Sequence, residues 1–260
     1  MNKQTVLDLA NQLSKQEITP DEFFRHLQLI PFDDLDFAKV DHHRLLRQGL
    51  PEAVYAPGKT SEQCTLIVGS LLEKSSSPVL LTRATREQTD EVLRHHPGGK
   101  ATPIQNSRQT LYLVSWRQNP KQDHKVIIIT AGTSDQPAAD ECGAVLQAYG
   151  LEPAYLRDCG VAGIHRLFSH LDELFDADIV VVAAGMEGAL PSVVGGLVAV
   201  PVIAVPTSTG YGSGFEGITA LLAMTSSCAA GITVMGIDNG FGAAYATMRI
   251  LQGIPYNKAD

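Results

Sequence analysis

The chain has little positive charge and few charged residues altogether. Lys and Arg number 20 against 28 Asp and Glu, so the 260 residues carry a formal net charge of −8, and charged residues make up only 18% of the sequence. A nucleic-acid-binding domain needs a basic patch, so this composition argues against nucleic acid as a partner. The apolar fraction of 44% is ample for a buried core, and the length suits one large or two modest domains.

Signatures of several other protein classes are also absent. No basic, apolar and small-residue pattern marks a secretory signal at the N-terminus. One long uncharged stretch, residues 217–237, contains many Gly, Ser and Thr, and the alternation around it favours a buried helix, turn and strand over a membrane span. The four cysteines show no CxxC spacing, so we expect a cytoplasmic protein with reduced thiols at Cys64, Cys142, Cys159 and Cys228.

A repeated alternation organises residues 125–251. Short apolar runs are followed by turns rich in Gly, Ser and Thr, and then by helical patterns. Apolar, β-branched runs of this kind are typical of parallel strands that helices cover on both faces. With right-handed crossovers, such units give a flavodoxin-like, three-layer α/β fold, whose strand order the pattern leaves open. We predict strands near 126–131, 153–157, 179–184, 202–206 and 232–237, and helices near 136–149, 162–175, 189–198, 215–226 and 240–251.

The preceding part predicts a small α/β domain over residues 1–117. An amphipathic helix over 3–15 comes first, and a second helix begins at Thr19-Pro20-Asp21-Glu22, which has a capping-box pattern. The polar segment 118–125 contains one Pro and no apolar residue, so we expect a linker there and a C-terminal domain at 126–260. The remaining elements are strand patterns at 52–56, 79–84 and 109–116 and capping-box helix starts at Thr60 and Thr85.

Small polar residues gather where the predicted strands end, and an open parallel sheet binds its ligand beyond those carboxyl ends. After the first strand, the residues 132–135 open a helix whose free N–H groups suit a phosphate or carboxylate. An ordinary Ser/Asp cap is equally compatible with that turn. After the second strand, Asp158 could bind a ligand hydroxyl or simply cap its turn. No GxGxxG fingerprint is present, so a dehydrogenase-type dinucleotide fold is not supported.

Glu187 is the most informative charge at these strand ends. It is the only charged residue between Asp178 and Glu216, and it lies in the turn Gly185-Met186-Glu187-Gly188. A carboxylate in such apolar company should be paired, metal-bound or reactive. The alternative is a solvated turn glutamate.

Cys228 lies between a predicted helix and the last predicted strand, next to Ser226 and Ser227. A lone cysteine is usually a small buried hydrophobe. A Gly-rich turn with hydroxyl neighbours, however, suits an accessible thiolate. No histidine lies close in sequence, so a Cys–His protease dyad is a poor guess, although a partner close in space stays open.

The C-terminal turns resemble those of aminoimidazole ribonucleotide carboxylase of the PurE type. The shared pattern is a Ser-Asp turn after strand one, an Ala-Gly turn with Leu-Pro after strand three, and a Val-Pro-Val run opening strand four. Two motifs depart from that enzyme. Its histidine before Leu-Pro is replaced by Glu187-Gly188-Ala189, and its Ser-Ala-His-Arg turn is replaced by residues 158–163. These departures count against the purine reaction itself.

Nearly the whole chain resembles the LarB family, the carboxylase/hydrolases of nickel-pincer cofactor synthesis. In the N-terminal part the resemblance runs from Asp41 to Lys59 and continues in LLTRAT. One neighbouring residue differs, since Cys159 stands where the family has valine before Gly160. In the C-terminal part the resemblance to the family is carried by AGTSD, GVAGIHRL, AAGMEGALPSVVGGL, PTSTGYG, the Cys228 turn and GIDNGFGAA.

This resemblance implies a specific reaction. The family takes nicotinic acid adenine dinucleotide and carbon dioxide or bicarbonate, carboxylates the pyridinium ring at C5 and cleaves the phosphoanhydride with magnesium and no organic cofactor. The products are AMP and pyridinium-3,5-biscarboxylic acid mononucleotide. Cys228 then corresponds to the nucleophile, and Asp135 and Glu187 are candidates for proton transfer or magnesium binding. The expected substrate contacts are Gly132, Thr133, Ser134, Asp158, Gly185, Met186, Gly188, Thr207, Ser208 and Asn239.

The helical patterns at 189–198 and 215–226 are nearly uncharged, so they should be buried against more than their own sheet. PurE-like domains form octamers, and we therefore expect a homo-oligomer, octameric by resemblance, with sites near subunit boundaries. Two other functions stay open. One is a non-catalytic nucleotide-binding module, which would have no use for a reactive Cys228, and the other is a purine-type ribonucleotide carboxylase or mutase.

Overall fold

The computed structural model describes residues 3–28, 33–42, 44–105 and 109–253. The ends of the two predicted domains, residues 1–2 and 254–260, lie outside the described residues. The chain divides into two compact units. One comprises Met1–Ala101 with Val114–Arg117, and the other comprises Thr102–Leu113 with Gln118–Asp260. The predicted linker forms neither helix nor strand, and its Asn119 and Gln122 N–H groups donate to the Ala148 and Gly150 carbonyls.

The first unit begins with two helices, α1 (Lys3–Ser14) and α2 (Pro20–Gln28). The second helix starts as predicted, because the Glu22 carboxylate accepts the Thr19 N–H at 2.8 Å and the Glu22 N–H donates to the Thr19 hydroxyl. Three short elements that the pattern did not predict follow, namely β1 (Asp33–Asp34), its antiparallel partner β2 (Lys39–Val40), and α3 (Arg44–Gln48).

A four-stranded sheet contains the other strands before residue 117. Helices α4 (Ser61–Lys74) and α5 (Arg86–His95) both begin with the predicted capping box, in which the Thr60 and Thr85 side chains accept a backbone N–H. The pattern missed one strand, because Lys100–Gln105 is largely exposed and contains a proline. The order is β3-β4-β6-β5, with β3 (Ala53–Tyr55) parallel to β4 (Val79–Ala84), then β6 (Thr110–Trp116) and β5 (Lys100–Gln105).

The second sheet is parallel throughout and has the order β11-β10-β9-β7-β8 among the described residues. Read along the chain, this is the order 2-1-3-4-5 of flavodoxin-like folds, so the predicted fold class is confirmed. Every residue of β7, β9 and β10 is buried, as expected of strands that helices cover on both faces. The strands are β7 (Val126–Thr130), β8 (Ala154–Leu156), β9 (Ile179–Ala184), β10 (Val202–Pro206) and β11 (Ile232–Val234).

Helices cover both faces of this sheet. On one face, α6 (Gln136–Ala148) and α11 (Gly240–Gly253) pack against each other and against the central strands. On the other face, Leu167, Leu174, Leu190, Val194 and Met224 pack with inward-facing residues of β7, β9 and β10 in one apolar core. These five residues lie on α7 (His165–Phe168), α8 (Leu171–Phe175), α9 (Leu190–Leu197) and α10 (Ile218–Thr225).

Two of the predicted helices are wrong in extent. The predicted helix at 162–175 is broken into a 3-10 turn at Val161–Gly163, α7 and α8. The Ser169 hydroxyl donates to the Arg166 carbonyl at the break, where it competes with the helical backbone bonds. The predicted helix at 215–226 begins only at Ile218, because Phe215 and Glu216 have φ of 41° and 52° inside a 3-10 turn at Gly212–Gly217.

The two edge strands are shorter than predicted. The strand predicted near 153–157 spans Ala154–Leu156, and the one predicted near 232–237 ends at Val234. Beyond them the chain turns, and Asp158 and Asp238 both adopt positive φ, at 58° and 55°. None of the helices among the described residues has both the length and the apolar character that crossing a membrane requires.

Candidate active site

The turns that follow β7 and β10 meet at the Asp135 carboxylate. Asp135 Oδ2 accepts the Gly132 N–H at 2.7 Å, and Oδ1 accepts the Thr207 hydroxyl at 2.5 Å. Asp135 is only 3% exposed and Thr207 only 2%, so the bond between them is buried. Both oxygens of the predicted catalytic carboxylate are therefore engaged in holding two turns together.

Burial raises the pKa of Asp135 above its ordinary value of 3.8, and the hydrogen bonds from Thr207 and Gly132 offset only part of this effect. Each of the two oxygens accepts one of these bonds. The part of the chain that the structure describes contains no group of three or more His, Cys, Asp and Glu side chains that could hold a metal ion. The described residues of one chain thus offer no such group for the magnesium that the resemblance implies.

The turn after β9 packs against the turn after β10. The Met186 N–H donates to the Thr209 carbonyl at 2.9 Å, and the Thr209 hydroxyl donates to the Ser134 carbonyl at 3.1 Å. A Cβ added at Gly185 would lie 2.3 Å from the Thr209 carbonyl oxygen, so only glycine fits there. Gly185 is therefore needed for the contact between these turns. The pattern missed Thr209, whose only signal is its place in the PTST segment.

Glu187 lies at the exposed tip of the turn after β9. Its apolar sequence neighbours Ala184 and Leu190 are buried in the core, while its own side chain points to solvent. Within one chain, the Glu187 carboxylate therefore lies in solvent and not in the apolar surroundings that its sequence neighbours suggested. Next to it, Gly188 is buried with φ of 62°, and Met186 has φ of 54° and is 40% exposed.

Some of the other predicted substrate-contact residues are exposed, and others are bonded to groups of the protein itself. Thr133, Ser134 and Ser208 are exposed, at the start of α6 and just after β10. Asp158 is exposed but forms an ion pair with Arg166. Asn239 caps α11, because its Oδ1 accepts the Gly242 N–H at 2.7 Å.

Asp238 is a residue at this edge that sequence reasoning missed. Its Oδ1 accepts the Ser208 N–H at 2.9 Å, so it ties the turn after β11 to the turn after β10. The signal available was the GIDNGFGAA segment, which was used only for the resemblance.

Cys228 is the only exposed thiol of the four. Burial raises the pKa of the Cys64, Cys142 and Cys159 thiols, which makes them poor sources of thiolate. Cys228 lies in the loop that precedes β11, whereas the Asp135 and Glu187 turns follow their strands. Among the described residues, no hydrogen bond joins its thiol to either carboxylate.

The parallel 2-1-3-4-5 sheet, whose turns are linked to one another at its carboxyl edge, defines a flavodoxin-like domain. The AIR carboxylase family model matches residues 125–256, and the model described as LarB/PurE-like N-terminal domain matches residues 32–110. The chain therefore belongs to the LarB family, with a PurE-like C-terminal domain. These matches support an enzyme of the PurE/LarB carboxylase type.

The chain is also similar to individual proteins. An uncharacterized protein of Methanocaldococcus jannaschii is 38% identical over 240 residues, which cover 91% of this chain and 93% of the relative. The N5-carboxyaminoimidazole ribonucleotide mutase of the same organism is 33% identical over 131 residues, covering 48% of this chain and 78% of the mutase. A crystal structure of a Treponema denticola PurE2 variant matches 53% of this chain and 84% of that chain, with 26% identity and a TM-score of 0.42.

Proposed function

We propose that this protein carboxylates the pyridinium ring of nicotinic acid adenine dinucleotide at C5 and cleaves its phosphoanhydride, giving pyridinium-3,5-biscarboxylic acid mononucleotide and AMP. The observation that carries the proposal is the exposure of Cys228, in the turn that matches the family's nucleophile, while the other three thiols are buried. A nucleophilic thiolate must be reachable by the substrate, and only Cys228 meets that condition.

The chemistry explains why a thiol is needed. A pyridinium ring is electron-poor and does not attack carbon dioxide. The Cys228 thiolate adds to ring C4, and an electron pair moves to the ring nitrogen, which leaves a neutral dihydropyridine that is nucleophilic at C5. C5 then forms a bond to the carbon of carbon dioxide. A base removes the C5 proton, and the nitrogen lone pair expels the thiolate and restores the aromatic ring. The net change replaces a proton by a carboxylate, so no oxidant is required.

The carboxyl edge of the sheet is suited to the dinucleotide. In a 2-1-3-4-5 sheet the switch point lies between β7 and β9, where the exposed residues Thr133, Ser134 and Glu187 are found. The first two precede α6, whose N-terminal N–H groups favour an anionic oxygen. We assign Ser134 and Ser208 to substrate oxygens and Glu187 to the C5 proton. Magnesium is assigned to the diphosphate oxygens of the substrate and to water, a common arrangement for this ion.

A homo-oligomer, octameric by analogy with the family, is part of the proposal. Four exposed apolar side chains lie just before the 3-10 turn, in it and on α10, and we call them the α10 stripe: Tyr211, Phe215, Ile218 and Leu222. Exposed apolar surface of this kind marks interaction sites, and a second copy would cover it. The stripe leads along α10 towards the Cys228 loop, which fits a site near a subunit boundary.

The proposal is tested with the purified full-length protein, bicarbonate, magnesium and either nicotinic acid adenine dinucleotide or a purine ribonucleotide, with products identified by mass. Wild type should give the biscarboxylated mononucleotide and AMP. Cys228→Ser should still bind the dinucleotide but form no carboxylated product, because an alcohol is a far weaker nucleophile at neutral pH. The single changes Cys64→Ser, Cys142→Ser and Cys159→Ser serve as controls and should keep substantial activity. Carboxylation by Cys228→Ser at the wild-type rate would refute the covalent mechanism.

A second candidate is a purine-type ribonucleotide carboxylase or mutase. The 33% identity to the Methanocaldococcus jannaschii mutase over half of the chain favours it. The glutamate, glycine and alanine at 187–189, which stand in place of the PurE histidine, count against it. The same assay separates the two, since turnover of the purine ribonucleotide alone would replace the first proposal. Binding without any turnover would instead indicate a nucleotide-binding module.

A further inference from the structure

We infer that Ser192, Ser227 and Gly195 are positioning residues for the Cys228 thiol. A hydrogen bond between the two serines ties Ser227, the residue before Cys228, to α9. Gly195 lets Ala229, the residue after Cys228, lie close against the same helix. This inference rests on the proposed nucleophilic role of Cys228.

Hydrogen bonds hold the turn on its N-terminal side. The Ser227 and Ser192 hydroxyl oxygens are 2.7 Å apart, so the loop is bonded to the first turn of α9. The Ser227 oxygen also accepts the Ala229 N–H at 3.1 Å, which closes a serine turn around the Cys228 backbone. A single hydroxyl therefore shapes the turn and anchors it.

The anchor itself is rigid. On α9, Leu190 is 1% exposed and Val194 is fully buried, so the helix is fixed to the core of the sheet on both sides of Ser192. Side chains held by packed regular elements can be placed more precisely than side chains on free loops. Cys228 thus has an exposed side chain on a loop whose backbone is tied to the core.

Close packing holds the turn on its C-terminal side. A Cβ added at Gly195 would lie 3.2 Å from the Ala229 Cβ and 3.0 Å from Ile232 Cδ1, which is tighter than ordinary contact. A Cβ added at the next residue, Gly196, would meet nothing within 4 Å. Gly195 therefore allows the segment after Cys228 to approach α9, whereas Gly196 faces open space. The two adjacent glycines provide a matched pair for mutation.

A positioning role predicts a particular kinetic effect. Thiolate attack on ring C4 requires a defined distance and angle, and a misplacement of about 1 Å can cost about 10²-fold in rate. The groups assigned to hold the oxygens of the dinucleotide, Ser134 and Ser208, follow β7 and β10 and are not part of the Cys228 loop. Loosening the loop should therefore lower kcat while leaving KM and the affinity for the dinucleotide nearly unchanged.

The test compares Ser192→Ala, Ser227→Ala and Gly195→Ala with the controls Ser226→Ala and Gly196→Ala, which change the same loop and helix without touching these contacts. We measure kcat, KM, dinucleotide binding by calorimetry and the urea unfolding midpoint. The first three variants should lose about 10-fold or more in kcat at unchanged KM, and the controls should stay within about 2-fold of wild type. Ser192→Thr, which keeps the hydroxyl, should restore most of the rate that Ser192→Ala loses.

Two outcomes would overturn the inference while the proposed function stands. One is wild-type kcat in all three variants together with an inactive Cys228→Ser. The other is a fall in kcat that only accompanies a lowered unfolding midpoint, which would show a merely structural role. An active Cys228→Ser would instead remove the proposed function itself.

Discussion

Replacing Asp135 tests whether this buried carboxylate holds the site together. Asp135→Ala leaves the Thr207 hydroxyl and the Gly132 N–H without their acceptor. Thr207 is buried, so its unpaired hydroxyl costs about 1–3 kcal/mol, and the half-buried Gly132 N–H adds about 1 kcal/mol. We therefore expect Asp135→Ala to lower the free energy of unfolding by about 2–4 kcal/mol.

Asp135→Asn is the matched variant, because its amide can satisfy both partners. The amide oxygen can accept the Gly132 N–H, and the amide NH₂ can donate to the Thr207 oxygen, so the loss should stay below about 1 kcal/mol. Equilibrium unfolding in urea measures both variants. A loss below about 1 kcal/mol for Asp135→Ala, or equal losses for the two variants, would contradict the assignment of Asp135 as a link between turns.

The pH dependence gives an independent check. Burial raises the folded-state pKa of Asp135 above 3.8, so the native state binds this proton more tightly than the unfolded state. The resulting stabilisation is fully present below pH 3.8 and is lost as the pH rises through the raised folded-state value. The side chain of Asp135→Asn does not titrate, so this variant does not lose stability in this way as the pH rises. Its stability relative to wild type should therefore improve across that interval, and parallel pH profiles would contradict the reasoning.

Two further predictions concern the exposed groups. Glu187→Gln should keep the wild-type unfolding midpoint, because the side chain is exposed. It should lose about 10²-fold or more in carboxylation rate, because the candidate base is removed. An unaltered rate would show that Glu187 is not part of the site. Leu222→Asp places a charge in the α10 stripe, where Leu222 is 60% exposed, and should dissociate the oligomer in sedimentation velocity while each subunit stays folded. Wild-type protein that sediments as a monomer at micromolar concentration would contradict this.

The core of the C-terminal domain could be predicted from sequence because its strands carry a strong local signal. The run Val126–Thr130 is β-branched and fully buried, and its helix follows a Ser-Asp turn. The break between α7 and α8 had no such signal. The residues around Ser169 keep helical spacing, and only the bond from its hydroxyl to the Arg166 carbonyl shows where the helix stops.

The surroundings of the site residues could not be predicted from sequence, for a physical reason. A small polar residue at a strand end has the same sequence context whether it faces a ligand or another turn. Asp135 has both oxygens bonded to the protein, whereas Ser134, its neighbour, is exposed. For Glu187, the apolar residues beside it in sequence point into the core while its own side chain points away. The residues next to Glu187 in sequence therefore did not show what surrounds its side chain in the folded protein.

The left-handed backbone positions at the carboxyl ends of the parallel sheet include residues other than glycine. At the amino ends, the left-handed positions 150 and 231 are glycines, which adopt positive φ without steric cost. At the carboxyl ends, Asp158, Met186 and Asp238 adopt positive φ as well as Gly188, and each of these three costs on the order of 1 kcal/mol. Glycine would remove that strain but also remove a side chain. At Asp238 that side chain is the acceptor of the Ser208 N–H, and at Asp158 it is the ion-pair partner of Arg166. The protein thus retains, at a cost in backbone strain, side chains that tie the turns of this edge together.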